Sequence, residues 1–224
     1  MTVVATASRP LGLRERNKRD KLKRIKDAAR ALFVAKGFDD ATMREIALRA
    51  GVGLGTIFLY AENKRDLLFL IINDELEEVT HRSEEAVDAK AGLIDNLLAV
   101  AKLHYQFFGR QPPLSRLVLR EMAFYDSGAQ AGLFQNTRER LIKLFGQIVG
   151  LSMTRKGAAS LEDPQFIGWT IFCIFQVELR RWLSNDETDL RAGLRALERA
   201  LLLLVSGIKG TRRVLRTQRS HAMN

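Results

Sequence analysis

Cysteine is almost absent from this chain: Cys173 is the only one in 224 residues. An intramolecular disulfide is therefore excluded, which suits a reducing compartment. Lying in an apolar run, Cys173 is expected to be a small buried hydrophobe. Histidine is scarce too. His81, His104 and His221 are scattered, with no H-x-x-x-H pair and no Cys/His cluster, so no zinc or other metal site is expected. Neither a P-loop nor a G-x-S-x-G elbow occurs. The chain is expected not to be an enzyme and to need no cofactor. Its greasiest segment, Leu201 to Val205, falls far short of the roughly 20 apolar residues that span a bilayer. The opening MTVVATASRP has no basic stretch followed by a long apolar core, so no signal peptide is read. These absences together lead to the expectation of a soluble, cytoplasmic protein with no membrane partner.

What is plentiful is positive charge, and it is unevenly placed. The formal net charge is +10. Residues 1–36 carry eleven Lys/Arg against only Glu15, Asp20 and Asp27, and residues 209–224 carry five Lys/Arg and no acid. The body between these blocks is mildly acidic. Apolar content of 46% and charged content of 28% are globular values. A polyanion partner near the N-terminal block is the natural inference.

Apolar residues recur with helical period along the whole chain, with no strand pattern and no internal repeat. Residues 1–16 carry no periodicity and are expected to be a mobile basic arm. From Arg16 a helix follows Leu22, Ile25, Ala28, Ala29, Leu32 and Phe33. Gly37 ends it, with Phe38 placed to fold back as in a Schellman stop. A helix from Thr42 to Ala50 and one from Leu54 to Tyr60 come next. Asn63 then caps a fourth helix, with Asp66 as the acid of a capping box. Further helices are expected over Gly92 to Phe108, Leu114 to Tyr125, Gln130 to Gly150, Asp163 to Trp182 and Leu190 to Ile208, with a loop from Met153 to Leu161.

The densest information lies in Thr42 to Tyr60, TMREIALRAGVGLGTIFLY. Ile46, Ala50 and Val52 are apolar where two short helices share a core, and Ala47 is small where they cross. Gly51 stands at the turn, where positive φ is needed. Ile57 and Tyr60 resume the apolar spacing, and Thr42 with Glu45 forms a T-x-x-E capping box. The pattern is a helix-turn-helix, which presents its second helix to a DNA major groove.

These residues, with Arg24-Ile25, Leu32-Phe33, Gly37-Phe38, Gly55-Thr56-Ile57, Lys64 and Leu67-Leu68, resemble the N-terminal domain of the tetracycline-repressor (TetR) family over about residues 20–70. The resemblance implies a homodimeric bacterial transcription regulator, usually a repressor. It also implies an all-α fold: a three-helix helix-turn-helix DNA-binding domain (17–66) joined to a larger helical ligand-binding and dimerisation domain (67–209), with a basic tail (210–224). The phosphate-binding role of Lys64 comes from the resemblance. Thr42 and Arg44 sit where a helix start and a cation hold a phosphate. Gly53, Leu54, Gly55, Thr56, Leu59 and Tyr60 line the third helix, although Tyr60 equally suits the core side. Arg14, Arg16 and Lys18 supply non-specific attraction to double-stranded operator DNA. The chain departs from the family pattern at Phe58, where Tyr is usual, at Leu54 and Leu59, and at Ala61. More of the specificity is then expected from apolar contacts, the basic arm and DNA shape.

Eight of the twelve phenylalanines lie beyond residue 100. Phe107, Phe108, Phe124, Tyr125, Phe134, Trp169 and Phe172 are either ordinary core or the lining of a pocket for an apolar or planar effector. Gln176 interrupts an apolar run and needs a partner there. The last two helices are expected to pair with their twofold mates in a homodimer. The leading expectation is a repressor released by a small apolar or aromatic molecule. The alternative is a DNA-binding regulator controlled by a protein partner, or without an inducer.

Overall fold

The helical periodicities are realised along the chain. A computed structural model describes residues 12–155 and 162–221, and no strand occurs among them. In order, the helices are α1 (Leu13–Lys36), α2 (Met43–Ala50), α3 (Leu54–Phe58), α4 (Lys64–Glu85), α5 (Leu93–Gly109), α6 (Pro112–Glu121), α7 (Ala131–Arg155), α8 (Pro164–Leu183) and α9 (Leu190–His221), with a 3-10 turn at Met122–Phe124. They form two compact units. One comprises the described residues up to Ile71 together with Gly128–Gln130, and the other Ile72–Ser127 with the residues from Ala131 onward. The division expected after residue 66 thus falls inside α4, five residues before the boundary between the units.

In the first unit, Ile25, Ala28, Ala29, Leu32 and Phe33 of α1 are buried together with Ile46, Ala47 and Ala50 of α2, Ile57 of α3, and Leu67, Leu68 and Ile71 of α4. The capping box of α2 is complete: the Thr42 hydroxyl accepts from the Glu45 N–H (3.2 Å), and the Glu45 carboxylate accepts from the Thr42 N–H (3.1 Å). Lys36 also reaches this carboxylate and, through that hydrogen bond first, holds its pKa below the usual range.

The Schellman stop is at Gly51, not at Gly37. Gly51 is left-handed (φ 63°, ψ 43°), and the Val52 N–H bonds to the Ala47 carbonyl at 3.0 Å, the six-to-one bond that defines the motif. Gly37 has φ 85° but ψ 169°, so the chain leaves α1 extended. Phe38 nevertheless folds back as expected, its ring centroid 5.3 Å from that of Phe33.

Asn63 caps α4 by accepting from the Asp66 N–H (2.9 Å). The Asp66 carboxylate, which a capping box would turn back to the Asn63 N–H, reaches one residue earlier and beyond the helix instead. Fully buried, it accepts from the N–H groups of Glu62 (2.9 Å), Ala129 (3.1 Å) and Gln130 (2.7 Å). The Gln130 side chain in turn donates to the Tyr60 carbonyl (3.1 Å). One acid thus ties the start of α4 to a segment more than sixty residues away in sequence.

The second unit packs the rest of α4 with α5–α9 around Leu97, Tyr105, Phe134, Phe145 and Phe175. Its tightest crossing joins α7 and α8: a Cβ on Gly168 would lie 2.4 Å from the Gly146 nitrogen, so the two backbones touch there. The Trp182 indole N–H donates to the Asp189 carbonyl (2.9 Å), closing the α8–α9 turn. Asp163 caps α8 through the Gln165 N–H (3.2 Å), with Pro164 at the first helical position as expected.

Several expected boundaries move. The arm assigned to residues 1–16 is helical from Leu13, where Glu15 favours a helix start and Leu-Arg-Glu-Arg are good helix formers; residues 1–11 lie outside the described residues. α3 ends at Phe58, because the Tyr60 and Ala61 N–H groups both turn back to the Ile57 carbonyl. α7 runs through the first part of the loop expected from Met153, as far as Arg155; residues 156–161 are outside the described set. α9 continues to His221 through most of the supposed tail, an isolated glycine costing a helix only about 1 kcal/mol; residues 222–224 are likewise undescribed. Cys173 is exposed rather than buried. It shares the outer face of α8 with Phe166, Trp169 and Val177, three- and four-residue steps that return to one side of a helix.

Candidate DNA-binding surface and effector cavity

The Schellman turn at Gly51 sets α3 after α2 with Ile57 buried between them, which turns the opposite side of α3 outward. Gly53, Gly55, Phe58 and Leu59 are exposed, Leu59 at 81%, whereas Leu54, Thr56 and Tyr60 are half-buried. A Cβ at Gly55 would meet nothing within 4 Å. The outer face of α3 is therefore bare backbone flanked by apolar side chains, a surface that admits close approach and offers thymine methyls a contact. Arg44 is exposed at the start of α2, and Thr42 beside it holds the capping box. Arg14, Arg16 and Lys18 are exposed on the first turns of α1 rather than on an arm. Lys64 is engaged within the unit. Its ammonium donates to the carbonyls of Phe38 (2.7 Å) and Asp39 (2.8 Å) and lies 5.0 Å from the centre of the Phe38 ring. Two of its three donors bind the loop before α2.

In the second unit a cavity of about 320 Å³ opens among α4, α5, α7 and α8. Of the expected ligand residues, Phe108, Phe134, Trp169, Phe172 and Gln176 line it. Phe107 and Tyr125 are buried off its wall, and Phe124 is 85% exposed. The 3-10 turn explains this last placement: it turns Met122 inward to the cavity and Phe124 outward.

Four polar residues on the wall matter for its chemistry. His104 is 1% exposed, and neither ring nitrogen has a hydrogen-bond partner among the described residues; the Gln176 Oε1 is likewise buried without one. Arg138 lies over the faces of Trp169 (5.7 Å) and Phe172 (5.6 Å), and Arg180 donates to the Gln176 carbonyl (3.2 Å). Neither arginine is paired with a carboxylate among the described residues. Burial lowers the pKa of Arg180. Sequence reasoning did not select His104, Arg138 or Arg180 as ligand residues because no local spacing marks them; only tertiary packing brings α5, α7 and α8 to one chamber.

Burial also pushes the His104 imidazole down to about 4 from 6.5, so it is neutral at physiological pH. Because the folded value is the lower one, the unfolded chain binds the extra proton between pH 6.5 and 4. Stability is then expected to fall on acidification through that window, by about 1.4 kcal/mol per unit and roughly 3 kcal/mol in all. Urea melts of the wild type and His104→Leu at pH 7, 5.5 and 4.5 check this. The wild type should lose more than the variant, and parallel losses would contradict the assignment.

Comparison with known proteins agrees with both halves. Residues 25–71 match "Bacterial regulatory proteins, tetR family". The fatty acid metabolism regulator protein of Bacillus subtilis is 29% identical over 199 residues, covering 86% of this chain and 98% of that protein. Among solved structures, the transcriptional regulator FadR from Bacillus subtilis in complex with stearoyl-CoA aligns with a TM-score of 0.65 at 22% identity, covering 80% of this chain and 96% of that one. FadR from Thermus thermophilus, a TetR-family transcriptional repressor in complex with lauroyl-CoA, aligns with a TM-score of 0.59 at 22% identity, covering 81% and 93%. With a Schellman-turned helix-turn-helix in its first unit, the chain carries over residues 25–71 the N-terminal domain of the bacterial tetR-family regulatory proteins, and over most of its length it is similar to transcriptional regulators of that family.

Proposed function

We propose that this regulator is a dimeric repressor that leaves its operator when an acyl-CoA-type ester fills the cavity of its second unit. The observation that carries the proposal is the cavity itself, whose apolar wall includes Leu76, Phe108, Met122, Phe134 and Leu141 and whose two arginines have no carboxylate partner among the described residues. An apolar wall suits an acyl chain, and such guanidiniums suit the phosphates of a CoA head. The fatty acid regulator among its relatives, and the stearoyl-CoA and lauroyl-CoA complexes among its structural neighbours, support the same ligand class.

On DNA, the open face of α3 enters the major groove, with Gly53 and Gly55 allowing the backbone close and Leu54, Thr56, Leu59 and Tyr60 around them. Thr42, Arg44 and the remaining donor of Lys64 hold phosphates, and Arg14, Arg16 and Lys18 add sequence-independent attraction. The test is fluorescence anisotropy of the protein on its own upstream duplex, titrated with lauroyl-CoA, stearoyl-CoA and free CoA. Release by the esters at concentrations where CoA is inert is expected. Operator binding that no ester disturbs, with no thermal stabilisation by any ester, would overturn the acyl reading and favour control by a protein partner.

The dimer is assigned to α8 and α9. Phe166, Trp169 and Val177 on α8, with Leu202 and Leu203 on α9, leave large apolar side chains exposed on the single chain. Phe166→Glu with Leu203→Glu alters only exposed positions, so each chain should still fold. Light scattering is expected to show the mass halved. Operator affinity should fall by about 100-fold or more, since one head cannot span two half-sites. An unchanged mass would place the dimer contact elsewhere.

A further inference from the structure

The wall polarity of the cavity carries more than a general affinity for acyl chains. His104 on α5 is 1% exposed and its ring stands edge-on to Phe175, with centroids 5.7 Å apart, yet both of its nitrogens lack a partner among the described residues. Gln176 on α8 follows Phe175 directly and buries an unpartnered Oε1. Both residues line the same chamber. Buried polar atoms left without hydrogen bonds are costly, so such atoms on the wall of a binding cavity mark where a ligand supplies the missing partner.

The donor and acceptor balance narrows the partner. A neutral imidazole presents one N–H donor and one bare nitrogen acceptor, and Gln176 Oε1 is an acceptor. A hydrocarbon chain satisfies none of these. A carbonyl accepts from the imidazole N–H but leaves both acceptors unmet. A hydroxyl takes the imidazole N–H and gives its own proton to the Gln176 Oε1, so it meets two of these three atoms where a carbonyl meets only one. We infer that the cavity selects an effector whose otherwise apolar body carries a hydroxyl group, read by His104 and Gln176, so that a hydroxylated acyl chain binds in preference to a saturated one of the same length.

This rests on the acyl-ester reading of the cavity, and the test separates the two. The probes are dodecanoyl-CoA and a set of hydroxydodecanoyl-CoA esters with the hydroxyl at carbons 3, 8 and 12. Affinity for the full-length protein is read from the change in tryptophan fluorescence, Trp169 lining the cavity, and from the ester concentration that releases DNA. At least one hydroxylated ester is expected to bind about ten-fold or more tightly than the saturated one. His104→Leu should erase that preference, bringing the affinity for the favoured hydroxylated ester down to that for dodecanoyl-CoA measured on the same variant. Gln176→Leu, at a half-buried position that tolerates change, should erase it as well. A residue serving only the fold would lower the affinity of both ligands together. If all esters bind alike, or the saturated one binds best, the inference falls and the acyl reading stands. If no ester binds, the acyl reading and this inference fall together.

Discussion

Asp66→Ala is expected to cost the protein about 3–5 kcal/mol of stability, the range for removing one partner of a buried charged hydrogen-bond network. The buried carboxylate accepts from the Glu62, Ala129 and Gln130 N–H groups. Alanine would leave these donors without their acceptor, where a net neutral hydrogen bond is worth only about 1 kcal/mol. Asp66→Asn is the informative comparison. It keeps the shape and one oxygen acceptor but aims an N–H₂ at an amide, so it should recover less than half of the loss. Differential scanning calorimetry on the full chain measures both. A fall of under about 1 kcal/mol for Asp66→Ala would show that water replaces the carboxylate readily and that the network contributes little. Operator binding gives a second readout, because the same residues hold the Tyr60 carbonyl through Gln130 at the end of the helix-turn-helix.

Gly55→Glu should behave in the opposite way, folding normally and losing its operator. Nothing lies within 4 Å of a Cβ at this position, so the side chain is free of internal collision, and replacing glycine inside a helix gains up to about 1 kcal/mol. If the open face of α3 lies in the major groove, the new carboxylate is carried toward phosphates and base edges. Like-charge juxtaposition at an interface costs several kcal/mol, so operator affinity should drop by about 100-fold or more. Gly55→Ala should give a smaller loss with equal or higher melting temperature, since it adds bulk without charge. Anisotropy on the operator duplex together with thermal melts decides the matter. Wild-type affinity for Gly55→Glu would mean that another surface reads the DNA.

The helix-turn-helix was legible because its determinants are local. A capping box spans four residues, the left-handed glycine and its Schellman bonds span six, and the apolar spacing across α2 and α3 is read directly along the chain. The same locality explains the misplaced stop at Gly37. A glycine followed by a phenylalanine signals a helix end, but the ψ of 169° that distinguishes an extended exit from a Schellman turn is set by how the loop packs, with Lys64 of α4 binding the carbonyls of Phe38 and Asp39. Helix ends in the second unit shifted for a related reason. Periodicity marks where an apolar face exists, and polar stretches such as those ending α7 and α9 remain helical without one.

The candidate cavity was half legible. Phe108, Phe134, Trp169, Phe172 and Gln176 line it, whereas Phe107, Phe124 and Tyr125, chosen on the same grounds, do not. Residue type says that a side chain is large and apolar; the direction in which it points depends on helix phase and on the 3-10 turn that sends Met122 in and Phe124 out. From the sequence alone came the all-helical class, the helix-turn-helix with its capping box, and the basic N-terminal block, because each follows from neighbours within a turn or two. The tertiary structure alone decided that His104, Gln176, Arg138 and Arg180 share one chamber and that Asp66 binds Ala129 and Gln130. Those contacts join residues on different helices, and their energies depend on burial and on distances that no local pattern encodes.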